Sequence, residues 1–212
     1  MKRTLTLAFC AGASLLVANL ASAHDTLTSM YAPAGYLQDL EMRVTHGCKG
    51  SPVTEVRIKI PEGVYRVSAA VNREWTVELK MRKLPKPIPG DGGNMMTETV
   101  DEIIWKEPKS PIPPMGYFEG FKFRGALPNT PGQILFFRTV NICAVGDDKY
   151  IDLPKEELKA NTPGLPDKLL KFMMATSGPS PFLILEKPAR PQYPFATPAP
   201  PKAGAAKPAA GR

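Results

Sequence analysis

A histidine that stands first in a chain is a metal chelate within one residue, because its α-amine and its imidazole Nδ1 can close a six-membered ring on a single ion. His24 is placed to become such a residue. Lys2 and Arg3 give the chain a positive start, Leu5 to Leu20 an apolar run and Ala21-Ser22-Ala23 a small-residue cleavage site, so a secretory leader is expected over residues 1–23. Two nitrogens held side by side suit the tetragonal N/O environment of Cu(II), the divalent ion highest in the stability order. The α-amine titrates at roughly 7.7 to 8, so copper displaces its proton at neutral pH at little cost, and binding weakens in acid. Until the leader is cut, that nitrogen is an amide and the ring cannot close.

The other residues able to do chemistry are few. Cys10 leaves with the leader, which leaves Cys48 and Cys143 in a compartment that favours oxidation. As a disulfide they would close a loop of about 95 residues, worth roughly 4 to 5 kcal/mol in the chain-entropy account. The rival reading is a thiolate metal site, for which no CxxC spacing is present. Nine methionines invite a Cu(I) reading, since thioethers are soft ligands. However, Met95-Met96 and Met173-Met174 show no repeated spacing, and adjacent residues on a strand face opposite ways. They read as packing or loop residues. A GxSxG elbow, a phosphate loop and an HExxH motif are all absent from the sequence, and two histidines are too few for a conventional hydrolytic zinc centre.

These side chains must be positioned by a β framework. From about residue 25 to 152 the chain reads as short strands between turn residues, the pattern of an all-β sandwich or barrel. Val56, Ile58 and Ile60 alternate with Arg57 and Lys59, and Trp75, Val77, Leu79 and Met81 alternate with Thr76, Glu78 and Lys80, which gives each strand one buried face. Further strands are expected at Leu37 to Val44, Val64 to Val71, Val100 to Trp105, Tyr117 to Phe123 and Gln133 to Cys143, about seven in all. Pro61-Glu62-Gly63 and residues 128–132 punctuate them as turns, and the Pro/Gly stretches 84–94 and 108–116 read as loops. Pro154 to Ala160 and Pro166 to Met174 read as short helices, each opened by an acidic residue beside a proline. Beyond Ser177 the composition turns to Pro, Ala, Gly and Lys, so residues 179–212 are expected to be a flexible tail.

The net charge of +7 falls to +5 when Lys2 and Arg3 leave with the leader, and much of the excess lies in the tail. An exported protein does not normally meet nucleic acid; the tail's charge would either attract anionic lipid or wall polymer, or simply keep it solvated. After the leader, no stretch approaches the roughly 20 apolar residues that crossing a bilayer requires. The expectation is an exported or periplasmic protein with neither a nucleic-acid partner nor a transmembrane anchor.

His24, the run Ala32-Pro33-Ala34-Gly35-Tyr36, the segment Thr45-His46-Gly47-Cys48-Lys49-Gly50-Ser51-Pro52 and Ile60-Pro61-Glu62-Gly63-Val64 resemble the YcnI-like copper-binding family. The likeness continues through Trp75, Ile104-Trp105, Phe121-Lys122-Phe123-Arg124-Gly125 and the strand end at Cys143. Each piece is short, but their order and spacing together are specific. The resemblance covers most of residues 24–153 and implies an immunoglobulin-like or related β-sandwich with one disulfide. It further implies Cu(II) bound through a single N-terminal histidine, with acidic residues and a nearby tryptophan completing the site. Two positions depart from the family pattern: Tyr31 stands where an acidic residue precedes the Ala-Pro-Ala-Gly segment, and Tyr150 where a tryptophan follows the second cysteine. Candidates for the remaining ligands are therefore Asp25, Glu119 and Tyr31, in that order, with Trp105 near the metal. As alternatives, the carboxylates could be solvated and both tryptophans core residues.

His46 is weighed separately, because a second imidazole would make the two-histidine brace of copper oxygenases that act on polysaccharides. Its place within the family's disulfide-bearing turn favours a local structural role. The expected organisation is a leader (1–23), a copper-binding β-sandwich (24–153), a short helical extension (154–178) and a tail (179–212). The expected function is non-enzymatic: an envelope protein that buffers Cu(II) or delivers it to a copper transporter or chaperone. An oxygenase using His24 and His46, or a metal-free interaction domain with a degenerate site, are the alternatives.

Overall fold

A computed structural model describes residues 24–90, 93–106 and 108–189. The expected leader, and the tail from residue 190, lie outside the described residues. The element order is β1 (Thr26–Leu27), β2 (Tyr31–Pro33), β3 (Leu37–Val44), β4 (Val53–Lys59), β5 (Tyr65–Ala69), β6 (Thr76–Pro89), β7 (Met95–Lys106), β8 (Glu119–Ala126), β9 (Ile134–Phe136), β10 (Thr139–Cys143), β11 (Asp147–Tyr150), α1 (Leu165–Ala175) and β12 (Phe182–Glu186).

The strands form three sheets, in the orders β1-β3-β8-β5, β11-β10-β4-β7-β6 and β2-β12-β9. The alternation in β4 buries Val56 and Ile58 completely, while Lys59 faces outward. Opposite it, Met42 and Val44 of β3 and Phe121 and Phe123 of β8 supply the facing layer. Trp105 and Trp75 both meet Phe121 edge to face, at centroid distances of 5.2 Å and 5.1 Å. One apolar core therefore lies between the first two sheets. A smaller cluster, built on Ile134, Leu158, Leu165, Leu169, Phe182 and Ile184, lies under α1. Cys48 and Cys143 are bonded to each other, tying the segment after β3 to the end of β10.

The structure departs from expectation in four places. Residues 84–89 continue β6 rather than forming a loop, so β6 and β7 make a long hairpin whose register shifts between Lys83 and Ile88. Pro85, Pro87 and Pro89 are tolerated because β6 is an edge strand, where a missing N–H breaks no second ladder. The expected strand 133–143 is two strands, β9 and β10, which belong to different sheets. The expected tail begins too early at 179, since β12 is a buried strand with Leu183 and Leu185 fully covered. It lies between β2, which it meets in parallel, and β9, which it meets antiparallel. Of the two expected helices, 166–174 lies within α1, whereas 154–160 has no helix and joins Gln133 through a bridge at Lys159.

Candidate metal centre

β1 fixes where the start of the sandwich lies. Thr26 stands opposite Arg43 and Leu27 opposite Met42. Carried two residues further, this register brings Asp25 beside Val44 and His24 beside Thr45, next to His46. The opposite wall comes from β10 and β11, where Thr139 pairs with Tyr150 and Asn141 with Asp148. Cross-strand partners point to the same side and alternate residues share a face, so these four side chains project together; Thr139, Asn141 and Tyr150 are buried.

Asp25 enters this polar end of the core, with only 2% of its surface exposed. Asn141 Nδ2 donates a 2.9 Å hydrogen bond to Asp25 Oδ2. The other carboxyl oxygen, Oδ1, is buried without a hydrogen-bond partner, as is Asn141 Oδ1. Burial pushes the Asp25 carboxyl up to about 7; the Asn141 bond and the His46 charge pull it down, and the Asp148 charge adds to the rise. A buried carboxylate oxygen with no donor is costly, and a proton or a cation bound there would relieve it.

His46 is tethered on both ring nitrogens. Nδ1 lies 2.9 Å from the Gly47 carbonyl and Nε2 lies 3.3 Å from the Tyr150 hydroxyl. A carbonyl only accepts, so Nδ1 carries the proton and Nε2 accepts from the tyrosine O–H. Asp148 Oδ2 stands 4.0 Å from Nδ1. Gly47 makes the turn possible, since a Cβ there would meet the Ser51 carbonyl oxygen at 1.9 Å. The disulfide one residue later anchors that turn to β10.

His24 lies at the boundary of this polar end, its ring edge-on to Tyr150 at 6.0 Å between centroids. Burial holds the His24 imidazole below its usual range; a hydrogen bond to the Met173 backbone opposes this, and the His46 charge adds to the fall. A neutral imidazole is the form that binds a metal. The ring N–H given to a carbonyl makes the other nitrogen the deprotonated one, as in metal-ligating histidines.

Beyond His24 the surroundings change. A pocket of about 30 Å³ is lined by His24, Asp25, Met30, Met173 and the segment 179–182, among others. That segment is pinned to β11. Gly178 approaches so closely that a Cβ would sit 1.9 Å from the Lys149 carbonyl oxygen. Ser180 accepts no looser fit: its N–H donates to Asp152 at 3.0 Å and its hydroxyl to the Tyr150 carbonyl at 3.2 Å.

Of the candidates named from the sequence, the structure brings Asp25 together with His24. Glu119 pairs with Val44 on the far side of β3, roughly 10 Å from Asp25 at ordinary strand spacing, and its Oε1 accepts from the Gly120 N–H. Tyr31 is on β2, 51% exposed, at a different groove beside Gln133 and Lys159. Trp105 shares a row with Val56 and Asn141, two strands and roughly 10 Å from the latter, and packs in the core. Asn141 and Asp148 were not singled out from the sequence, and Met173 was read there as a packing or loop residue. A polar residue at an inward position of the strand Thr139–Cys143 was the available signal for Asn141. Among the described residues, no three His, Cys, Asp or Glu side chains converge closely enough to hold an ion unaided.

The family model described as "Domain of unknown function (DUF1775)" matches residues 24–166. The chain belongs to the DUF1775 family. No curated protein is significantly similar to this DUF1775 chain. Among solved structures it resembles an uncharacterized protein from Nocardia farcinica with an immunoglobulin-like fold. The two share 17% identity with a TM-score of 0.53, over 77% of this chain and 99% of the other. A protein from Corynebacterium diphtheriae aligns at 11% identity and a TM-score of 0.37, over 84% of this chain and 38% of that one. The fold of this DUF1775 domain is thus an immunoglobulin-like sandwich with one disulfide. No helix among the described residues is long and apolar enough to cross a membrane.

Proposed function

We propose that this DUF1775 protein, once cut after Ala23, is a copper-binding protein of the cell envelope that chelates Cu(II) at His24 and buffers it or passes it to a copper transporter or chaperone. The observation that carries the reading is the pairing of His24, the residue after the expected cleavage site, with Asp25, whose buried Oδ1 has no donor. The α-amine and the imidazole would supply two nitrogens, and the Asp25 carboxylate is the adjacent oxygen donor. A bidentate residue explains how an ion could be held where three separate side chains do not converge. The resemblance to YcnI-like copper-binding proteins supports the same assignment.

The test is Cu(II) titration of the chain beginning at His24, followed by electron paramagnetic resonance, beside the same chain with one extra N-terminal residue. Tight one-to-one binding with nitrogen coupling, lost on extension, is the expected result. Equal weak binding by both forms would overturn the chelate and favour a metal-free interaction domain.

The second reading, an oxygenase with a two-histidine brace, is favoured by one observation: His46 is near enough for its charge to act on His24. Against it, both His46 nitrogens are engaged, and copper would have to displace Tyr150 to reach Nε2. Substrate oxidation abolished by His46→Ala would establish the enzyme; unchanged Cu(II) coordination in that variant would support the one-histidine site.

A further inference from the structure

Two methionines from distant parts of the chain, Met30 and Met173, line the same small pocket as His24. Met30 lies between β1 and β2, and its carbonyl accepts a 2.8 Å hydrogen bond from the Ile184 N–H of β12. Met173 lies in the last turn of α1, partly buried against the smaller core cluster, and its backbone is bonded to the His24 ring. Both residues belong to the lining of that pocket. Leu27, Pro179, Pro181 and Phe182 make most of the remaining wall apolar, and Asp25, Thr26 and Ser180 complete it.

A packing role accounts for Met173 but poorly for Met30, which is 51% exposed. Met174, adjacent in sequence to Met173, is 79% exposed and does not line the pocket. It is a natural control. Two neutral thioethers and one imidazole form a soft donor set, and soft donors select Cu(I) over Cu(II). An apolar wall acts in the same direction, because burying one positive charge costs less than burying two. At about 30 Å³ the pocket has room for one small ion.

We propose that Met30 and Met173, with the imidazole of His24, form a Cu(I) site on the apolar side of that histidine. The site rests on the copper reading above and deepens it: Cu(I) at the thioethers would take the ring nitrogen that now gives its N–H to the Met173 backbone, the ring proton moving to the other nitrogen, so the N/O set and the thioether set would be used one ion at a time. Met173 lies beyond residues 24–166, the part matched by the family model. The Cu(I) site therefore draws one of its three donors, Met173, from beyond the family domain, while His24 and Met30 lie within it.

The experiment titrates the chain beginning at His24 with Cu(I) under anaerobic conditions, in competition with bicinchoninate. It is repeated for Met30→Leu/Met173→Leu and for Met174→Leu, since leucine conserves side-chain volume. The expected result is at least a tenfold loss of Cu(I) affinity in the double variant and none in Met174→Leu, with sulfur scattering in the X-ray absorption of the wild-type complex. Cu(I) affinity unchanged in the double variant, with its far-ultraviolet circular dichroism intact, would overturn the thioether site. Cu(II) resonance on the same samples separates the two proposals. A retained nitrogen-coupled Cu(II) signal alongside unchanged Cu(I) binding refutes only the thioether site, whereas a Cu(II) signal without nitrogen coupling in the wild type refutes the chelate itself.

Discussion

The two sides of His24 are built by different means. On one side stand Asp25, Asn141, Asp148, His46 and Tyr150, held by sheet register and a disulfide within the family domain. On the other stand Met30, which lies within that domain but is bonded to β12, and Met173 and the 179–182 segment, which lie beyond it. The first side is rich in charge and hydrogen bonds, and burial raises the pKa of Asp25 and of Tyr150. The second has almost no polar atoms and depends on packing. The contrast teaches that separate elements can build two chemically different walls against one imidazole at their boundary.

Removing the disulfide should give the largest effect on the first side. Cys48→Ser with Cys143→Ser releases a loop spanning 95 residues, which in the chain-entropy account costs about 4 to 5 kcal/mol. Urea unfolding should show that loss. If stability is unchanged, register alone holds the polar wall.

Next comes the buried carboxyl. Asp25 binds its proton more tightly when folded than when unfolded, because burial raises it from 3.8 to about 7. The metal-free native state therefore carries more protons than the unfolded chain between those values. Stability from this group is full below pH about 3.8 and is lost as the pH rises through about 7. The loss is up to roughly 4 kcal/mol. Asp25→Asn should flatten that slope in thermal melts run across this range, and an unaltered slope would place its origin elsewhere.

The second side should respond to Phe172→Ala. Phe172 is buried on α1 and meets Phe136 edge to face at 6.0 Å; truncation should cost about 3 kcal/mol. Hydrogen exchange should quicken in α1 and β12 while β3, β4 and β10 stay protected. Uniform quickening would show the two sides to be one cooperative unit.

The sequence was most legible where burial alternates. Leu37–Val44 is a strand with the bounds expected of it, because one face meets the core and the other meets water. Phe182–Glu186 was hidden for the opposite reason: four consecutive buried residues show no alternation, and Pro179 and Pro181 look like breakers. The hairpin at residues 84–89 was hidden by prolines that an edge strand can carry. At the site, the chemistry of His24 and Asp25 could be read from their order in the chain. The nearness of His46 to His24, and of Asn141 to Asp25, could not, because register joins residues up to 116 positions apart. Met173 was legible only as half of a pair that seemed too close in sequence to act together.

The parallel pairing of β12 with β2 has a consequence for the order of assembly. Tyr31–Pro33 meets Ile184–Glu186 directly, so one of the earliest strands finds its partner only in the latest. Contacts of such long separation form slowly, and here the ribosome sets a minimum wait: until residue 186 has been synthesised, the sheet that carries Met30's anchor lacks its middle strand. The apolar wall is thus the last part of the molecule to be completed, and a chain truncated before β12 could carry the N-terminal histidine yet never finish the surface beside it.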